Sequence, residues 1–290
     1  MTDPVASERT QPDPARPAQS GSHLGRLVRR ARSASFFFAF SLFALLWLGL
    51  GQRLLIGPLV ALLPGRRPRI MDLWMKAAAR ITLALMRGFA GVKVSVRGAI
   101  RRESCVLVMN HQSVVDIPVM VSLVPGPFPL IPTRARFSRG IPGISQLVRL
   151  CGCPLITQNR QNVHADLTAI AKGAEAAAGG DYSFGIFPEG HRSRNGEIRP
   201  FMTRGLTLVL DRVRRPVYCA VVDGLWRIPT FAAALSQLAG SEIRVQILGP
   251  FQAPDDAAEV PGFIHSLRDR MVAALGELRA AGAVDAAPSA

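Results

Sequence analysis

Carboxylates are scarce in this chain. Twenty Asp and Glu stand against 35 Lys and Arg over 290 residues, a formal net charge of +15. That excess excludes a charge-balanced surface and favours a polyanionic partner: nucleic acid, an anionic membrane, or a phosphorylated substrate. Lysine is scarcer still, with 3 residues against 32 Arg. A bias so general is a matter of composition, so no arginine is a ligand on its identity alone. The four cysteines, Cys105, Cys151, Cys153 and Cys219, form no Cys-x-x-Cys pair and have apolar flanks. This argues against a zinc site and for buried free thiols in a reducing compartment. No Gly-x-Ser-x-Gly elbow occurs, which removes the usual signature of a serine-nucleophile hydrolase. No metal is expected, because no carboxylate cluster supports His111 and His191. Apolar residues are not lacking: at 49% they exclude a disordered protein, and the length suffices for one large or two small domains with a real core.

Composition divides the chain. Residues 1–25 are rich in Pro, Ser, Gln and Asp and read as a disordered tail. Residues 26–90 read as a membrane-anchoring helical region: Ser33 to Gln52 carries no charge over 20 residues, and Leu54 to Leu63 continues the apolar run after Arg53. Basic residues flank it at Arg26–Arg32 and Arg66–Arg69. A helical hairpin dipping into one leaflet would return both flanks to one face and is preferred over a single span or a soluble core helix. Leu73 to Phe89 has helical periodicity, with Lys76, Arg80 and Arg87 on one stripe and Trp74, Ala78, Ile81, Leu85 and Phe89 opposite. It suits a membrane interface or packing on its own domain equally well. Residues 91–282 alternate short apolar strands with helices, which predicts an α/β domain with a mixed, largely parallel sheet flanked by helices. Residues 283–290 read as a frayed C-terminus.

Two clusters carry chemistry. Asn110-His111-Gln112-Ser113-Val114-Val115-Asp116 follows the apolar run Cys105–Met109, so a histidine and a carboxylate stand at the carboxyl end of a buried strand. Histidine is the usual general base near neutral pH, and a carboxylate on one ring nitrogen fixes its tautomer and stabilises the imidazolium. Five residues turn a side chain by about 140° along a regular helix, so the two meet only if a loop precedes a helix with Asp116 in its first turn. Pro118 fits that boundary. The second cluster, Phe187-Pro188-Glu189-Gly190-His191-Arg192-Ser193-Arg194, follows Phe184–Phe187. A base on one strand end, and a glutamate with arginines on another, suggest one site for a phosphorylated substrate.

The His111-x-x-x-x-Asp116 spacing resembles the signature of the glycerolipid (lysophospholipid) acyltransferase family. Phe187–Ser193 is similar to its second hallmark, Gly152–Arg160 to the block ending in a substrate-binding arginine, and Arg215–Val221 to its proline-containing apolar block. All four stand in the family's order. The resemblance implies transfer of an acyl chain from acyl-CoA or acyl carrier protein, a co-substrate rather than a bound cofactor, to the free hydroxyl of lysophosphatidic acid. It implies His111 as base and Asp116 as its orienter, Arg160 as phosphate ligand, and Glu189 with Gly190 shaping the acceptor pocket. Arg192 matches the family's arginine; Asn110 and Arg194 join the substrate-binding set by proximity. The expected partners are a lysophospholipid acceptor, an acyl-thioester donor and the membrane, with no nucleic acid. The expected place is the cell membrane, with the catalytic domain on its cytoplasmic face. Departures are His191 for the family's Thr and Arg204 for a common Lys, with only Arg134 or Arg136 for a Lys earlier in the chain. They leave the headgroup open, so a lyso-aminolipid or lysophosphatidylinositol acceptor is the alternative. A non-catalytic basic membrane-binding protein is a further one.

Overall fold

The computed structural model describes residues 23–141, 143–228 and 237–285. Residues 1–22 and 286–290, most of the two proposed tails, lie outside these. Residues 23–25 are already helical, and the C-terminal helix runs to Asp285.

The apolar N-terminal region forms one continuous helix, His23–Leu62, rather than the expected helical hairpin. It comprises α1 (His23–Phe43), a π-helical stretch (Ala44–Ile56) and α2 (Gly57–Leu62). The π winding bonds the Gly57 N–H to the Gln52 carbonyl five residues back, and Pro58 is absorbed at the start of α2 without a break. The chain reverses only at Leu63–Arg66, so the two basic flanks lie toward opposite ends of the rod. The return arm is α3 (Arg67–Leu85), which buries Met71, Trp74, Met75, Ala78, Ala79 and Leu83. Trp47 stacks on Trp74 at 4.2 Å. Lys76 pairs with Asp72 at 2.6 Å and donates to the Pro125 and Gly126 carbonyls. Of the basic stripe only Lys76 therefore faces the protein's own domain; Arg80 and Arg87 are exposed, and the side bearing Trp74 and Ala78 packs inward. The outer side of the rod stays apolar: Phe38, Leu54 and Leu62 are 77%, 74% and 77% exposed.

The α/β domain holds a six-stranded sheet in the order β1-β8-β7-β2-β6-β3. Its strands are β1 (Lys93–Arg97), β2 (Val106–Met109), β3 (Pro129–Leu130), β6 (Ser183–Ile186), β7 (Val217–Asp223) and β8 (Glu242–Phe251); β4 (Thr133–Arg134) and β5 (Leu155–Ile156) form a separate parallel pair. Strands β3, β6, β2 and β7 run parallel; β8 is antiparallel to β7 and parallel to β1. Strands β2, β6 and β7 are buried throughout, as strands covered on both faces must be. The other helices are α4 (Asp116–Leu123), α5 (Ile144–Cys151), α6 (Val163–Ala178), α7 (Thr203–Arg212) and α8 (Val260–Asp285). One parallel direction for the central strands brings the chain after β2, β6 and β7 to a single sheet edge, where a site belongs in an open α/β fold.

Candidate active site

His111 and Asp116 meet there. The His111 Nδ1 lies 2.7 Å from Asp116 Oδ2, and the Asp116 side chain is fully buried. The geometry follows from a loop running into α4, whose first residue is Asp116. The same Oδ2 accepts the backbone N–H groups of Gln112 at 2.6 Å and Ser113 at 2.8 Å. A carboxylate at a helix start also benefits from the helix dipole. The imidazole stacks on Phe187 at 4.2 Å and 21° and keeps its side chain 20% exposed. With Nδ1 facing Asp116, Nε2 is the nitrogen left for a substrate proton. The N–H groups of Gln112, Ser113, Val115 and Asp116 are all engaged within the loop.

The second cluster closes over the first. Phe187–Gly190 is a turn, with the Gly190 N–H on the Phe187 carbonyl at 3.1 Å. Gly190 has φ +69°, and a Cβ there would run into Met202. Glu189 Oε1 accepts the His111 N–H at 2.8 Å and Oε2 the Arg199 N–H at 2.9 Å. The Ser193 N–H returns to the His111 carbonyl at 2.7 Å. Glu189 is 3% exposed; burial pushes its carboxyl up, against those two N–H donors. Its carboxylate is thus held by backbone, a scaffold contact rather than an open pocket wall.

The remaining expected residues separate. Asn110 is 1% exposed and bonds both backbone groups of Val222, at 2.8 and 2.7 Å. Its amide extends the β2–β7 pairing past the end of the ladder, so it is committed to the scaffold and not turned toward a substrate. Arg192 is half-buried and close enough to Arg134 to be felt by it; Arg194 lies exposed on the loop. Arg160 opens a single 3₁₀ turn capped by Asn159, and its side chain lies outside the described residues. Arg204, in the first turn of α7, lines a groove of about 420 Å³ with Thr207, Asp211 and Val260, and neither His111 nor Glu189 belongs to that lining.

Four contributors, Gln112, Ser113, Gln158 and Asp166, had no role assigned from sequence, and Arg134 entered there only as a candidate for a Lys of the family. Arg134, on β4, approaches the His191 Nδ1 at 3.4 Å. Burial, then Arg136 and Arg192, push the Arg134 guanidinium down. Burial, then Arg134, Arg199 and His111, push the His191 imidazole down. Cations crowd this rim. Gln112 accepts the Leu225 and Trp226 N–H groups at 3.0 and 3.2 Å, and Ser113 donates to the Ile228 carbonyl at 2.6 Å; both fasten the histidine loop to the segment after β7. Gln158 has φ +56°, rare for a residue with a side chain, and donates to the Gly190 carbonyl at 2.7 Å. The first-turn carboxylate of α6, Asp166, fixes that corner through the Thr157 and Gln158 N–H groups at 2.7 and 2.8 Å. Only His111 and Asp116 had a spacing signal; the glutamines and Ser113 had none. Among the described residues no group of three or more His, Cys, Asp or Glu could hold a metal ion.

An imidazole on a buried carboxylate thus stands at a sheet edge beside clustered cations. A family model described as Acyltransferase matches residues 91–239, and the chain belongs to that family and is an acyltransferase. It is 25% identical over 210 residues to the 1-acyl-sn-glycerol-3-phosphate acyltransferase alpha of Homo sapiens, covering 70% of this chain and 71% of the relative. It is 29% identical over 145 residues to the 1-acyl-sn-glycerol-3-phosphate acyltransferase of Borreliella burgdorferi, covering 49% and 54%. Its fold is similar to that of PlsC, the 1-acyl-sn-glycerophosphate (LPA) acyltransferase of Thermotoga maritima, with a TM-score of 0.63 at 19% identity over 88% of this chain and 98% of that one.

Proposed function

We propose that the chain moves a fatty acyl group from a thioester, acyl-CoA or acyl carrier protein, to the free hydroxyl of lysophosphatidic acid, giving phosphatidic acid. The observation that carries this reading is the 2.7 Å contact of His111 with the buried Asp116, set beside the rim of Arg134, Arg192 and His191. The relatives' names supply the acceptor. His111 Nε2 takes the hydroxyl proton as the oxygen attacks the thioester carbonyl. The carbon–oxygen bond forms, the tetrahedral intermediate collapses, and the thiolate leaves with the proton from the imidazolium. Asp116 holds the tautomer, and its buried charge steadies the cation. Guanidinium groups of Arg134, Arg192 and Arg160 suit the acceptor phosphate because each offers paired donors.

The N-terminal rod fits a membrane role. One side packs on the enzyme, with Arg32 against Gly91, Leu48 against Gly143 and Gln146 on the Gln52 carbonyl, while the other side is apolar. Such a rod suits lying along the interface, where lysophospholipid and acyl chain both reside, with the domain on the cytoplasmic face. The test is turnover of purified full-length protein on a panel of lyso-lipids with each thioester donor, with products identified by mass. Phosphatidic acid formation, lost in His111→Ala, is expected. Acylation of a lyso-aminolipid or lysophosphatidylinositol without lysophosphatidic acid would overturn the acceptor assignment.

A further inference from the structure

The scarcity of carboxylates is uneven. His23 to Met71 contains no Asp or Glu and eight arginines; Ile117 to Ala165 contains none and five. The fold joins these two acid-free segments. Arg67, at the start of α3, donates to the Leu150 and Arg149 carbonyls at 3.0 and 3.1 Å. Arg149 in turn reaches the Ser138 carbonyl at 2.6 Å. Arg139 and Arg136 flank that contact and are exposed, as are Arg66 and Arg69 beside the chain reversal. From Ser138 a 3₁₀ turn (Ala135–Ser138) leads back to Arg134 and so to His191 at the active site. A cationic strip thus runs from the tip of the apolar rod, where Leu62 is 77% and Leu63 38% exposed, to the site entrance. The nearest carboxylates in sequence are otherwise committed: Asp72 to Lys76, Asp116 to His111, Asp166 to the Thr157–Gln158 corner.

We propose that this strip is a docking surface for anionic phospholipid headgroups, seating the entrance against a negatively charged leaflet while the adjoining leucines enter the hydrocarbon. This deepens the membrane reading above and rests on it. Charge alone would also suit nucleic acid. The exposed leucines contiguous with Arg66 favour a bilayer, because a nucleic-acid groove offers nothing to bury them. Clustered guanidinium groups without carboxylates attract an anionic leaflet, and salt screens that attraction.

The experiment uses full-length protein floated with phosphatidylcholine vesicles containing increasing phosphatidylglycerol, at low and high salt. The test variant is Arg66→Gln/Arg69→Gln/Arg139→Gln, which avoids Arg67 and Arg149 because both hold backbone carbonyls. The control, Arg97→Gln/Arg101→Gln/Arg102→Gln, removes the same charge elsewhere on the exposed surface. Wild-type partitioning is expected to rise with phosphatidylglycerol and fall with salt. The test variant should lose about 100-fold in that anionic-dependent part, from roughly three surface charges, with the control close to wild type. Equal loss in both variants would assign the effect to net charge. An unchanged test variant would also overturn the proposal, as would a duplex DNA affinity that falls in the test variant while vesicle binding does not. Flotation needs no turnover, so an enzyme inactive on lysophosphatidic acid would refute the acceptor assignment and leave this result readable.

Discussion

Glu189 and His111 are joined not ring to carboxylate but backbone to carboxylate, through the 2.8 Å bond from the His111 N–H to Glu189 Oε1. Since Oε2 takes the Arg199 N–H, one buried side chain sets the spacing of the histidine loop and the arginine-bearing loop. Removing it in Glu189→Ala leaves two donors without acceptors, at about 1–3 kcal/mol each. Chemical denaturation should show this loss together with reduced turnover. Its pH dependence has a fixed sign. Burial raises the folded-state value, so the folded protein binds this proton more readily than the unfolded chain. The group's contribution to stability is greatest in acid and falls as pH rises through the window above the ordinary carboxylate range. The wild type's margin over Glu189→Ala should narrow in that direction, and a margin that widens would contradict the burial argument.

His111→Ala should lower turnover by about 10²–10⁴-fold, the usual contribution of a general base. Asp116→Asn should approach that loss, because a neutral amide, even with its oxygen in the place of Oδ2, no longer offers the negative charge that stabilises the imidazolium. Steady-state kinetics on protein with an unchanged melting profile for His111→Ala tests the first. Full activity in either variant would remove the base from the mechanism.

Asn110→Ala should destabilise without altering acceptor affinity in the folded fraction. Both Val222 backbone groups lose their partner in a dry site, at about 1–3 kcal/mol apiece. A raised KM at unchanged stability would restore Asn110 to the substrate-binding set.

The thiols should label in a set order. Burial pushes Cys105 up to about 11 and Cys219 up to about 12, so neither forms a thiolate at neutral pH. Cys153 is only half-buried, and the neighbouring Cys151 thiol pulls it down. Iodoacetamide followed by mass spectrometry should find Cys153 first, with Cys105 and Cys219 modified only on unfolding.

Deleting residues 23–62 should do more than release the protein from membranes. Phe36, Trp47 and Ile56 pack against the α3 side of the core, and Trp74 would be uncovered. Reduced thermal stability in detergent, alongside lost flotation, is the expected pair of results.

Sequence determined much of this protein. Continuous apolar runs leading into His111 and Glu189 placed both clusters at the ends of buried strands, and a five-residue spacing required a loop followed by a helix with Asp116 in its first turn. Those are local matters, fixed by the apolar character of a short run and by the geometry of one turn. Short elements gave no such pattern: α5 and β4, with Arg134 on it, were not foreseen. The rod's continuity was missed because Arg53 and Gly57-Pro58 look like a break, which π winding absorbs. Only the tertiary structure decided that Asn110 belongs to β7, that Glu189 holds backbone, that Gln112, Ser113 and Gln158 tie the loops, and that two acid-free segments share one face. Each is a contact between residues far apart in the chain. Such contacts depend on strand order and on where buried polar groups find partners, and neither is written in a local pattern.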